Sequence, residues 1–135
     1  MPRLRLFWVI ALAAPRFSAP KATVSLAEAE RLRSEGEQLL FRQDFAGAAA
    51  AYRASLRLNP TFRNALTAHY FYNNLGWCLH DSEPAAALEY YREALRFDAK
   101  PPMPNAYLNA GGLYSRVFHD YLAAMDSYAL SLIHI

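Results

Sequence analysis

Residues 72–79 read Tyr-Asn-Asn-Leu-Gly-Trp-Cys-Leu, with bulky residues at Tyr72, Leu75 and Leu79 set around Gly76. The same order occurs twice more, as Leu32-x-x-Glu35-Gly36-x-x-Leu39 and as Tyr107-x-x-Ala110-Gly111-x-x-Tyr114. Behind each glycine comes a small residue and, four positions later, an aromatic: Ala48 and Tyr52, Ala87 and Tyr91, Ala124 and Tyr128. Spacings of three and four place these residues on one helical face. Glycine and alanine at a crossing let two antiparallel helices approach closely, and the aromatic fills the gap to the next pair. A single pair cannot bury its apolar face alone, so neighbouring pairs must stack to form a core.

The fold predicted is therefore all-α, an α-solenoid of about three antiparallel helix pairs. The recurring order resembles the tetratricopeptide repeat, whose pattern is W-x₂-L-G-x₂-Y, then A-x₃-F, then P, on a 34-residue period. The resemblance covers about Ser25 to the end, with repeats near 25–60, 61–99 and 104–135, and it implies a right-handed superhelix. Residues 1–24 stand apart as a leader and linker.

Helix boundaries follow from capping chemistry. Ser25-Leu-Ala-Glu28 reads as a capping box opening the first helix, which runs to about Arg42. Asp44 is placed to cap the second helix, whose apolar face carries Phe45, Ala48, Tyr52, Leu56 and Leu58. Asn59 as cap, with Pro60 at the first helical position, predicts the start of the third. Asp81 or Ser82 followed by Pro84 opens the fourth, and Asp120 caps the sixth. Lys100-Pro-Pro-Met-Pro104 interrupts any helix and reads as the linker to the last pair.

The glycine spacings are 40 residues (36 to 76) and 35 (76 to 111), so about six residues are additional before the second repeat. They are expected to lengthen the third helix at its start and to carry Phe62, Leu66 and His69 outside the regular stack. Glu35 stands where the pattern wants leucine, an irregularity common in terminal repeats. The end, Ser131-Leu-Ile-His-Ile135, is apolar and in helical register. Repeat arrays normally finish with a polar capping helix. A fragment of a longer chain is expected, or a packing partner on the uncapped last helix.

The 135 residues are 54% apolar, enough for one core, and the formal net charge is only +2. With no basic cluster, neither nucleic acid nor a membrane surface is predicted as a partner of the mature chain. The one cysteine, Cys78, excludes an intramolecular disulfide, and its neighbours offer no base or metal ligand. His69, His80, His119 and His134 form no metal-binding spacing. The Gly111-Gly112 pair is mid-helix, not part of a phosphate loop, and no nucleophile elbow appears. No catalytic residue, metal or cofactor is predicted.

The start is different in kind. Met1-Pro-Arg-Leu-Arg5 and the apolar run Leu6–Ala14 fit a basic n-region and an h-region, with Ala11-Leu-Ala13 as a cleavage signal. That reading sends the chain to the secretory pathway or outside the cell. A transit peptide or a disordered tail fits the same residues, with an organelle or the cytoplasm as the destination.

Ligand-facing positions can be placed from the glycine. At about 100° per residue, the side chain two positions earlier points about 200° away, out of the pair. Ser34, Asn74 and Asn109 hold these positions, and Arg33, Asn73, Trp77 and Asn105 are expected near the same face. The two asparagines resemble the asparagine ladder of O-linked N-acetylglucosamine transferase repeats, which implies amides holding the backbone of an extended peptide. An amide offers a donor and an acceptor, as a peptide group requires. The family's clamp for a C-terminal carboxylate is not matched, because Glu37, Asn105 and Asn109 occupy its positions and Glu37 would repel an anion. Of Tyr70, Phe71, Tyr72 and Trp77, Tyr72 is a repeat-core residue, and the others divide between core and recognition surface. The function expected is a scaffold or adaptor that binds another protein or a peptide. The alternative is the substrate-recognition region of a larger enzyme acting on polypeptides, such as a glycosyltransferase.

Overall fold

Three glycines decide how closely the helices approach. A Cβ added to Gly36 would lie 2.8 Å from the Tyr52 ring, one on Gly76 2.6 Å from Tyr91, and one on Gly111 2.6 Å from Tyr128. Each tyrosine thus fills the space where any other residue would carry a side chain. The computed structural model describes residues 21–97 and 104–133. It contains six helices there: α1 (Lys21–Phe41), α2 (Phe45–Leu58), α3 (Ala65–Leu79), α4 (Pro84–Leu95), α5 (Asn105–Arg116) and α6 (Tyr121–Ile133). They pair as α1 with α2, α3 with α4 and α5 with α6; the pairs then stack through α2 on α3 and α4 on α5. The all-α solenoid reading holds. Of the leader expected over residues 1–24, residues 21–24 are helical and 1–20 lie outside the described residues, as does the part of the proline linker up to Met103.

One core runs through the stack. Ala48, Ala49 and Tyr52 of α2 meet Phe71, Leu75, Cys78 and Leu79 of α3, then Ala87, Leu88 and Tyr91 of α4, and finally Ala110 and Leu113 of α5. Burial of each large side chain among these contributes about 1.5–3 kcal/mol. Polar ties cross the same interfaces: Arg53 pairs with Glu83 at 2.8 Å, and Arg92 donates to the Tyr114 hydroxyl at 2.9 Å.

Two caps are where the residues place them. The Asp44 carboxylate accepts from the Gly47 amide at 2.9 Å, and that of Asp120 from the Ala123 amide at 3.0 Å. Three boundaries differ. Helix α1 already begins at Lys21, so Ser25 lies inside it and its capping box is not used. The α4 cap is Glu83, with Pro84 at the first helical position and no side-chain cap bond. The third correction is the most informative. Asn59 closes α2, and α3 opens at Asn64, whose side chain accepts from the Thr67 amide at 2.9 Å. The six additional residues therefore form a linker and do not lengthen α3.

A buried arginine holds that linker. Arg33 donates through Nε to the Ser55 hydroxyl at 3.1 Å, and through one terminal nitrogen to the carbonyls of Asn59 and Thr61 at 3.0 and 2.8 Å. Its other nitrogen pairs with Glu30 at 2.9 Å, and the guanidinium lies over the Phe62 ring at 4.4 Å. Phe62 in turn packs on Phe71, Tyr72 and Phe97. Phe62 and His69 are thus part of the stack: His69 is buried, with Nδ1 against the Ala94 carbonyl at 2.9 Å.

Replacement of Arg33 by alanine strips two linker carbonyls and one face of Phe62 of their partner. A loss of about 3 kcal/mol is expected, or more than about 10 °C in melting temperature. Arg31→Ala, whose pairs with Glu28 and Glu35 are exposed, should leave the melting temperature nearly unchanged. Calorimetry of both variants checks this, and equal effects would contradict it.

Candidate functional site

Helix α1 of the first pair and α3 of the second form no extensive contact. The space between them is a cavity of about 450 Å³ lined by Glu30, Arg33, Ser34 and Glu37 of α1, Thr67, Tyr70, Phe71 and Asn74 of α3, and Tyr52 of α2. That volume lies within the usual range for ligand sites. Its floor is the Tyr52 phenol, only 1% exposed, whose hydroxyl makes no well-formed hydrogen bond among the described residues. Burial, with Glu37 near, pushes this phenol above its ordinary range; the adjacent Asn74 amide acts the other way. The hydroxyl therefore stays protonated and remains a donor.

The predicted ligand-facing residues divide. Ser34 and Asn74 line the α1–α3 cavity. Arg33 also lines it, 6% exposed, with its guanidinium engaged by the linker. Asn73, 8% exposed, is likewise turned inward and accepts from Asn109 Nδ2 at 3.0 Å. Asn109 is half-buried and bonds across to α3, so one amide of the expected ladder already has a partner within the chain. Asn105 is exposed at the start of α5. Tyr70 is 43% exposed on the cavity wall, whereas Phe71 belongs to the core and Tyr72 packs against it.

Trp77, 46% exposed, borders a separate cavity of about 320 Å³ with Phe45, Cys78, His80, Asp81 and Arg116. There Arg116 donates to His80 Nε2, so the imidazole proton sits on Nδ1 and is given to the Tyr91 hydroxyl at 2.9 Å. This relay ties α5 to α3 and α4. Sequence reasoning missed it, because its three members are far apart in the chain. Cys78 is buried and its thiol is pushed up to about 11 by burial, which leaves it protonated and unreactive. Among the described residues no three His, Cys, Asp or Glu side chains gather as for a metal ion, and no helix is long and apolar enough to cross a membrane.

No family profile and no curated protein matches the sequence. Solved structures do. The TPR domain of Arabidopsis OM64 is similar with a TM-score of 0.65 and 19% identity over 82% of this chain and 84% of that one. The N-terminal domain of stress-induced protein-1 (STI-1) from C. elegans gives 0.65 and 19%, over 82% and 87%. The TPR2B domain of yeast Sti1, solved in a complex with pHsp70, gives 0.58 and 20%, over 78% and 80%. The chain has the tetratricopeptide-repeat fold, as its glycine pattern predicts.

The two buried histidines carry a pH signature. Burial lowers the His69 pKa below the ordinary 6.5 although the Ala94 carbonyl opposes it; burial and then Arg116 lower that of His80 although Asp81 opposes it. The folded state thus favours neutral rings. Their contribution is full above pH about 6.5 and is lost as the pH falls through that value towards the folded pKa values. Melting temperature should decline between pH about 7 and 5, and the His69→Gln, His80→Gln double variant should show a shallower decline. An identical decline in both proteins would refute the assignment.

Proposed function

We propose that this chain is a polypeptide-binding module whose ligand lies along the face carried by α1, α3 and α5. The observation that carries the reading is the cavity between α1 and α3. Stacked helix pairs leave a concave surface suited to binding, and here a carboxylate, an amide and an exposed aromatic ring line one open space on it. Extended peptides are recognised by such means, with donors for carbonyls, an amide that serves either group and an aromatic wall. The complex of the similar Sti1 domain with pHsp70 supports use of this fold to hold another protein. No group of side chains in either cavity joins a nucleophile to a base, and the buried, protonated Cys78 supports a non-catalytic role.

Panning a displayed random dodecapeptide library on the folded chain tests this. Enriched peptides should lose roughly tenfold in affinity on an Asn74→Ala, Tyr70→Ala variant, the loss of one or two good polar or aromatic contacts. Peptides that bind the variant as well as the parent, or a library that yields no binder, would overturn the reading.

A further inference from the structure

The α1–α3 groove carries an uncompensated acid. Two carboxylates line it, Glu30 and Glu37. Glu30 is neutralised by Arg33, the only cation in the lining, whose remaining donors face Ser55, Asn59 and Thr61 in the interior. Glu37, two turns beyond Glu30 on α1, is exposed and makes no ion pair among the described residues. Arg42 borders a neighbouring open cavity with Glu37 but is not paired with it. The local field is therefore negative, although the whole chain is formally positive by two charges.

The other walls supply complementary chemistry. Tyr70 offers a half-exposed ring on α3, able to take a cation on its face. Tyr52 closes the inner side of the cavity, but its hydroxyl exposes almost no surface and is no contact for a ligand. Asn74 stands beside it with both a donor and an acceptor.

Resting on the function proposed above, we infer that this groove selects a lysine or arginine side chain within an extended polypeptide. The cation sits between Glu37 and the Tyr70 ring, while the adjacent backbone meets the Asn74 amide. An anionic side chain or a terminal carboxylate in the same place would meet Glu37 with no unengaged cation in the groove lining, and is disfavoured.

Three blocked pentapeptides test the assignment: acetyl-Ala-Ala-X-Ala-Ala-amide with X as lysine, norleucine or glutamate. Each is titrated into the ¹⁵N-labelled chain at low salt, and the backbone amides of Glu37, Tyr70 and Asn74 are followed. The lysine peptide should bind roughly threefold or more tightly than the norleucine one, with glutamate weakest. Glu37→Gln should erase the lysine preference, and added salt should shrink it. Asn74→Ala should weaken the lysine and norleucine peptides alike. If all three shift the groove amides equally, or if the lysine preference survives Glu37→Gln, the cation assignment falls while the binding groove stands. If no peptide shifts these amides at millimolar concentration, both fall.

Discussion

Everything in this structure hangs on a ring placed against a bare backbone. In each helix pair a tyrosine lies where a glycine has no Cβ: Tyr52 on Gly36, Tyr91 on Gly76, Tyr128 on Gly111. The contact sets the separation of the two helices and hence which residues face the next pair. It also decides where two hydroxyls go. That of Tyr91 is carried to His80 and joins the relay to Arg116, whereas that of Tyr52 stays buried beneath the α1–α3 groove that its residue lines. A packing rule and a candidate binding feature thus come from the same residue.

Against that regular frame, the six additional residues between the first two repeats are accommodated by a buried charge. An arginine inside a protein costs free energy unless its donors are met. Arg33 meets that requirement with two linker carbonyls, the Ser55 hydroxyl and Glu30, and it stacks on Phe62. The consequence reaches the groove. Because this cation is turned inward, the neighbouring Glu37 is left to define the local charge.

Much of the fold was readable from residues alone, because the glycine, alanine and tyrosine order is a direct imprint of helix crossing. Caps at Asp44 and Asp120 were readable too, since each reaches only the amides of its own first turn. Asn59 and Asn64 show where local signals stop. Both suit a helix start, and the choice between them is made by Arg33, which holds the Asn59 and Thr61 carbonyls in a non-helical linker. The burial of Arg33 and Asn73 has a simpler reason. Both lie three residues before a glycine, and about 300° of rotation returns a side chain to within about 60° of the glycine itself. That arithmetic puts them toward the partner helix, and they are indeed buried. Ser34 and Asn74, two residues before, line the groove as the rotation requires. Tyr52 was legible as a core ring, but nothing in the sequence tells where its hydroxyl ends.

The glycine–tyrosine contact is most directly tested by the melting temperatures of Gly76→Ala and Gly112→Ala, measured side by side. Both changes put the same methyl group into a helix, which by backbone propensity alone stabilises by about 0.5–1 kcal/mol. At Gly112 the nearest atom is an Arg116 nitrogen 4.0 Å away, so the gain should be seen. At Gly76 the methyl meets the Tyr91 ring at 2.6 Å and the Ala87 carbonyl at 3.1 Å, and that ring is fixed by burial and by His80. Overpacking there should outweigh the gain, by about 1–3 kcal/mol. Opposite shifts are the predicted result, and two equal rises would contradict the account.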